Sequence, residues 1–214
     1  MNPYRTIEEA DDSIETLYEI QKSKFITHLR HVDSEEEARA FIQAMKKKYF
    51  DARHNCSAYV LGESADKQKS NDDGEPGGTG GNPILEVIRK NDLTNIVVVV
   101  TRYFGGIKLG AGGLIRAYSH AAVLGVEAAT VLAMTPFIQL NAVVSYDLLA
   151  TVEHWMRQKE IRSLEADYAE NVILHLLIEP ANLETVKAAL TDLTAGRAAL
   201  TTGDESLIAI PADS

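Results

Sequence analysis

The sequence predicts an α+β protein of two domains, and three observations carry that reading. Apolar runs with strand spacing and with helix spacing alternate along the first 133 residues. A Thr135-Pro136 step then marks a boundary. Beyond it the pattern runs strand, helix, strand, strand, helix, strand, which is the split βαβ order of a ferredoxin-like βαββαβ domain. Domains are therefore expected over 1–133 and 136–214, and either half is long enough to bury a core.

In the first domain, Thr16–Ile20 and Lys24–Val32 alternate as strands around a polar joint, Gln21–Ser23. Ser34 is a good helix cap, Glu35–Glu37 suit the positive helix end, and Ala38, Phe41, Ile42 and Met45 form an apolar stripe. Lys46–Lys48 close that helix where cations are favoured. Asn55–Leu61 reads as a strand, followed by a polar loop of about twenty residues; a loop that long inside a domain is usually functional. Pro83–Lys90 is a short helix with Asn82 as its cap. Leu93–Val100 is almost wholly β-branched or aliphatic, so a central strand covered on both sides is expected. Leu109–Leu132 is a long, Ala-rich helix, and the order as a whole suggests strands with helices on one face. The second domain reads Phe137–Ser145 (strand), Tyr146–Gln158 (helix), Glu160–Tyr168 and Asn171–Ile178 (strands), Ala181–Leu193 (helix) and Leu200–Ile210 (strand).

With 45% hydrophobic and 24% charged residues the chain has the composition of a soluble globular protein. Acids and lysines dot the first thirty residues where a signal peptide would need an apolar run. The longest wholly aliphatic run, Ile96–Val100, is too short to span a bilayer. Cys56 stands alone, so neither an internal disulfide nor a Cys-based zinc site can form. A cytoplasmic protein with no membrane partner is expected. The net charge of −10 argues against wholesale nucleic-acid binding. That charge is uneven: residues 1–134 hold 16 Lys/Arg against 19 Asp/Glu, and residues 135–214 hold 5 against 12. Between Leu93 and Val126 there are three bases and no acid, so an anion-facing surface belongs to the first half.

Two stretches, Asp72–Pro83 and Thr101–Arg116, contain ten of the fourteen glycines. Glycine gathers where backbone turns sharply or approaches something closely. The first stretch carries Asp72, Asp73, Glu75 and Thr79 among its glycines, and the second carries Arg102, Tyr103, Lys108 and Arg116. Gly105 and Gly110 have the spacing of a phosphate loop, but Ala111-Gly112 stands where Lys-Ser/Thr is required, and no G-x-G-x-x-G follows. What remains is a strand leading through Gly105, Gly106, Gly110, Gly112 and Gly113 into a helix start, whose free amides favour an anion. The competing reading is that these glycines only permit tight turns and close packing. Asp72, Asp73 and Glu75 suit Mg²⁺ binding, acid–base chemistry, or bracing of a turn; Asp73 or Glu75 could also hold Arg102 or Arg116. His54 and Cys56 share a strand face, but a strand cysteine is more often a small buried hydrophobe than a nucleophile. Tyr103 and Phe104 could stack on a base. No histidine metal signature or G-x-S-x-G elbow is present, so no metal site, cofactor or catalytic residue is predicted.

Four segments resemble the IMPACT family in its bacterial, YigZ-type form: Gln21–Ile26, Asp51–Gly62, Asp72–Pro83 and Val97–Tyr118. The family tends to have Gly-Thr-Ala-Gly where this chain has Gly78-Thr79-Gly80-Gly81, and a different small residue at Gly77. The resemblance implies a first domain similar to the α+β fold of ribosomal proteins and of elongation factor G domain four. It also implies a ferredoxin-like second domain like that factor's domain five. Eukaryotic relatives regulate translation through an activator of a stress kinase, using a further domain not read in this sequence. The expectation is a binding or regulatory protein whose partner is RNA, the ribosome or a translation-associated protein. In that reading Arg102, Lys108 and Arg116 meet phosphates, Tyr103 stacks, and loop 72–83 shapes the cleft. The alternative is an enzyme acting on a phosphorylated small molecule or nucleotide with Mg²⁺.

Overall fold

The computed structural model describes residues 1–10 and 12–212. The chain divides into two compact units, one comprising Asn2–Met134 with Ala209–Ser214 and the other Met1 with Thr135–Ile208.

The first unit is built on a five-stranded antiparallel sheet. Its strands are β2 (Ile14–Ile20), β3 (Ser23–His31), β4 (His54–Leu61), β5 (Lys67–Asn71) and β6 (Ile96–Tyr103), in the order β2-β3-β6-β4-β5. Gln21 and Lys22, both at positive φ, make the two-residue turn that sets the β2–β3 register from Ile20↔Ser23. β6 is central because its β-branched residues are buried on both sides. Val98 and Val100 face α2 (Gly81–Lys90) and α3 (Gly110–Glu127), in one cluster with Phe25, Leu29, Ile84 and Leu114. Val97 and Val99 face α1 (Glu35–Lys48) and its Ala38 and Phe41. Helices thus cover both faces of the sheet rather than one, because α1 has an apolar stripe of its own to bury. Ser34 caps α1 by accepting from the Glu37 amide, as its sequence position predicts. Gly125 lets α3 lie close on the sheet: a Cβ there would meet Leu29 and Thr27 side chains at 2.6 and 2.7 Å.

Several boundaries differ from the sequence reading. A first strand, β1 (Tyr4–Ile7), pairs antiparallel with the start of β7 (Val131–Val144), through Tyr4↔Met134 to Ile7↔Val131. That pairing converts Val131 and Leu132 to strand, so α3 ends at Glu127 and not at 132. β6 lies three residues later than the apolar run suggests, which takes Thr101–Tyr103 into the sheet. The long polar loop contains β5, a hydrophilic edge strand. Asn82 does not cap α2; the helix starts after Gly80, and Asn82 Oδ1 accepts from the Ser70 hydroxyl instead.

One buried group makes stability pH-dependent. His28 is fully buried on the α1 face, its ring 5.0 Å from that of Tyr49, and neither ring nitrogen has a hydrogen-bond partner among the described residues. Burial pushes its pKa below the ordinary histidine value, and Lys48 adds to this against an opposing pull from Glu15. The unfolded chain therefore takes a proton that the native chain refuses. Stability is fully present above about pH 6.5 and falls as the pH drops toward the lower native value, by at most about 1.4 kcal/mol per pH unit. Urea midpoints measured between pH 7.5 and 5 should show this decline, and His28→Leu should remove that part of it.

In the second unit, β7 continues through Thr135-Pro136 without a break. It is followed by α4 (Tyr146–Gln158), β8 (Arg162–Ser163), β9 (Asp167–Tyr168), β10 (Val172–Ile178), α5 (Leu183–Leu193) and β11 (Ala199–Pro211). β7 lies between β11 and β10, and β8 and β9 pair with the other edge of β10. This is the strand order of a ferredoxin-like βαββαβ domain. The expected single strand 160–168 is two short pieces separated by Leu164–Ala166. Leu140, Ala142, Leu174 and Leu176 form the sheet side of the core, with Val152, Met156 and Leu190 from the helices.

Candidate functional site

The first glycine-rich stretch is folded around Asp72. One carboxylate oxygen accepts from the amides of Gly80 and Gly81 at 2.9 and 2.8 Å, the other from Gly78 at 2.7 Å. Partial burial works against the charged form, but the three amides outweigh it and hold the pKa below the usual carboxylate range. Asp72 thus does from a distance what Asn82 was expected to do, satisfying first-turn donors of α2. Asp73, at φ +46°, sits between Lys46 Nζ (2.5 Å) and the Asn55 amide (2.7 Å). Its carbonyl faces His54 Nδ1 at 2.9 Å. The buried Thr79 hydroxyl donates to the Pro76 carbonyl.

Glu75 ties this loop to the end of β6. It is buried, and its Oε1 accepts from Arg102 Nη1 at 2.6 Å and from the Tyr118 hydroxyl at 2.9 Å. The two glycine-rich stretches are therefore joined, by one of the pairs that the sequence left open. All three acids are engaged as braces by amides, cations or a hydroxyl. Arg102, expected to meet phosphate, is itself only 6% exposed, held by Glu75 and flanked by the rings of Phe25 and Phe104. The reason is the strand's later end: residue 102 lies in register with Phe25 and His54 and points to the α3 side of the sheet.

Tyr103, the next residue, points to the other side. Its hydroxyl donates to Asp51 at 2.8 Å, and burial together with that carboxylate pushes its pKa up to about 12. It is not placed to stack beside Arg102. Cys56 is buried, its thiol directed at the Asp72 carbonyl 3.0 Å away, and burial raises its pKa to about 12. A thiol so placed is a packing group and not an activated nucleophile.

The second stretch has two halves with different roles. Gly105 packs on the β2–β3 turn: its amide donates to Ser23 Oγ, and a Cβ there would overlap the Lys22 backbone. Gly113 lies against Leu109. Gly106, Gly110 and Gly112 are exposed. The first two, at φ +85° and +71°, have nothing within 4 Å of where a side-chain methyl would stand, and the third has only Arg116. Leu109, at the N-cap of α3, makes no side-chain capping bond, and no other side chain among the described residues caps the helix. Lys108 and Arg116 are exposed beside this helix start and enter no ion pair among the described residues. Phe104, Ile107 and Ile115 are each more than 40% exposed around it. A cavity of about 330 Å³ opens next to it between β2 and α3, lined by Tyr18, Ile20, Leu109, Arg116 and His120 among others.

The structure thus brings Lys108, Arg116, Gly106, Gly110 and Gly112 to one open surface. It places Asp72, Asp73, Glu75, Thr79 and Arg102 in a packed support that braces the first glycine-rich stretch and, through Glu75, ties it to the end of β6, and it places Tyr103 elsewhere. Sequence reasoning missed Lys46 and Tyr118 as members of that support. Tyr118 carried a faint signal, as a lone hydroxyl on the apolar side of an Ala-rich helix.

Comparison with known proteins finds two family matches along the chain. The Impact N-terminal domain matches residues 21–126, and a domain of unknown function, DUF1949, matches residues 143–197. The IMPACT family member YvyE of Bacillus subtilis is 42% identical over 95% of this chain and 93% of its own length. The IMPACT family member YigZ of Escherichia coli is 36% identical over 83% of this chain and 88% of its own. The crystal structure of a hypothetical protein, 32% identical, superposes with a TM-score of 0.59 over 95% of this chain and 98% of that one. With its glycine-rich segments, its two α+β units and these relatives in accord, the chain belongs to the IMPACT family.

Proposed function

We propose that this protein is a binding or regulatory protein linked to translation, which contacts RNA, the ribosome or a translation-associated protein through the open start of α3. The translation link follows from the family resemblance. The observation that carries the choice of surface is the uncapped helix start, ringed by exposed glycines and by two cations with no acidic partner among the described residues. Free amides and the helix dipole favour an anionic group there, and Lys108 and Arg116 add charge that is not already neutralised. The exposed Phe104, Ile107 and Ile115 suit a structured partner, since two cations alone give little affinity for bare nucleic acid.

Sedimentation of the protein with purified ribosomes across a salt series tests this reading. Wild-type association should weaken steeply with salt. The Lys108→Ala/Arg116→Ala double variant should bind more weakly and lower the slope of log K against log salt by about 1.4–1.8, the value for two lost phosphate contacts. Identical slopes for the two proteins would exclude this surface.

A further inference from the structure

The surface at the start of α3 leaves unused a cavity of about 390 Å³ on the other face of the same sheet. α1 settles its apolar stripe on Val97 and Val99 of β6, which leaves the corner between the helix and the β4–β5 pair open. Into that corner α1 turns Arg39, Gln43 and Lys46, at the i, i+4, i+7 spacing of one helix face. The sheet side is made of two cross-strand pairs, Ser57↔Asn71 and Tyr59↔Lys69.

The charge balance of this corner favours an anion. Three cations, Arg39, Lys46 and Lys69, meet two carboxylates. Lys46 is matched by Asp73. Glu35 alone serves both others, at 2.6 Å from Arg39 and 3.9 Å from Lys69, and also accepts from the Tyr59 hydroxyl at 2.7 Å. One positive charge is left over, on groups that retain free N–H donors. Ser57 lies almost completely buried at the wall and brings a hydroxyl to it. Neutral donors and acceptors from Gln43, Ser70 and Asn71 complete the lining. Among the described residues, Ile42 is its only aliphatic member and Tyr59 its only aromatic one.

We propose that this cavity binds a small, hydroxyl-rich phosphomonoester, a sugar phosphate in chemical class. The phosphate lies between the Arg39 guanidinium fork and the Lys69 ammonium, and the hydroxyls meet Ser57, Gln43 and Asn71. The cavity has the volume of a small-molecule site. This site is separate from the start of α3 and does not depend on the function proposed there.

Titration calorimetry with ribose 5-phosphate, inorganic phosphate and unphosphorylated ribose tests the assignment. Ribose 5-phosphate should bind saturably at one site per chain, phosphate more weakly, and ribose not at all. Arg39→Ala and Lys69→Ala should each weaken ribose 5-phosphate by about tenfold or more, whereas Lys108→Ala should leave it unchanged. Both replaced side chains are more than half exposed, and circular dichroism checks that the variants are folded. Absence of saturable binding, or wild-type affinity in both cavity variants, would overturn the proposal.

Discussion

Glu75→Ala is expected to lose about 3–5 kcal/mol of unfolding free energy, the range for removing one partner of a buried ion pair. The Glu75 side chain is 3% exposed and that of Arg102 7%, so water cannot take the place of the missing carboxylate. Arg102 is already short of partners, since its buried Nε has none among the described residues. Alanine would remove the countercharge of a guanidinium flanked by aromatic rings, and would remove the Glu75 acceptor of the buried Tyr118 hydroxyl as well. The flanking Phe25 and Phe104 offset part of that cost but not the loss of a hydrogen-bonded countercharge. Urea unfolding measures the difference. Replacing both partners with apolar residues, Glu75→Leu with Arg102→Met, should recover much of the loss, because no charge is then left buried. A loss below about 1 kcal/mol in Glu75→Ala would mean that the pair does not hold the two loops together.

Gly105→Ala is expected to be the second most damaging of these changes, at about 1–3 kcal/mol or more. Its Cβ would overlap the carbonyl carbon and oxygen of Lys22 and the amide of Ser23, all of them backbone. A side chain could swing aside, but these atoms belong to a two-residue turn already held at positive φ. The strand register next to that turn would have to move. Gly106→Ala provides the comparison: it meets no neighbour and carries only the strain of φ +85°. If the two variants unfolded at the same urea concentration, close packing would not be what requires glycine at 105.

The residues that set the fold from their own pattern were legible in the sequence. Val97–Val100 needed cover on both faces, Ser34 needed no distant partner to cap α1, and the order after Pro136 allowed little but a split βαβ. What the sequence hid depends on distant contacts. β1 exists because Val131–Met134 pairs with it, and Lys67–Asn71 becomes a strand only as the neighbour of β4. The α2 cap comes from Asp72, eight and nine residues before the amides it serves, while a local rule pointed to Asn82. At the site, the sequence offered a pairing between an acid of the first loop and Arg102, but also offered Arg102 as a ligand for phosphate. A strand end displaced by three residues decides between them, because it turns residue 102 inward and residue 103 to the opposite face.

Gly112→Ala separates a glycine kept for packing from one kept for access. Position 112 lies in the first turn of α3, and an added methyl would only touch the end of Arg116 at 3.6 Å. Alanine is the better helix former by up to about 1 kcal/mol, so the variant should unfold no earlier than wild type in urea. The same methyl would stand in front of the free amides, and ribosome association at fixed salt should fall by about fivefold or more. Undiminished association in a folded Gly112→Ala protein would contradict the claim that a partner sits on the start of α3.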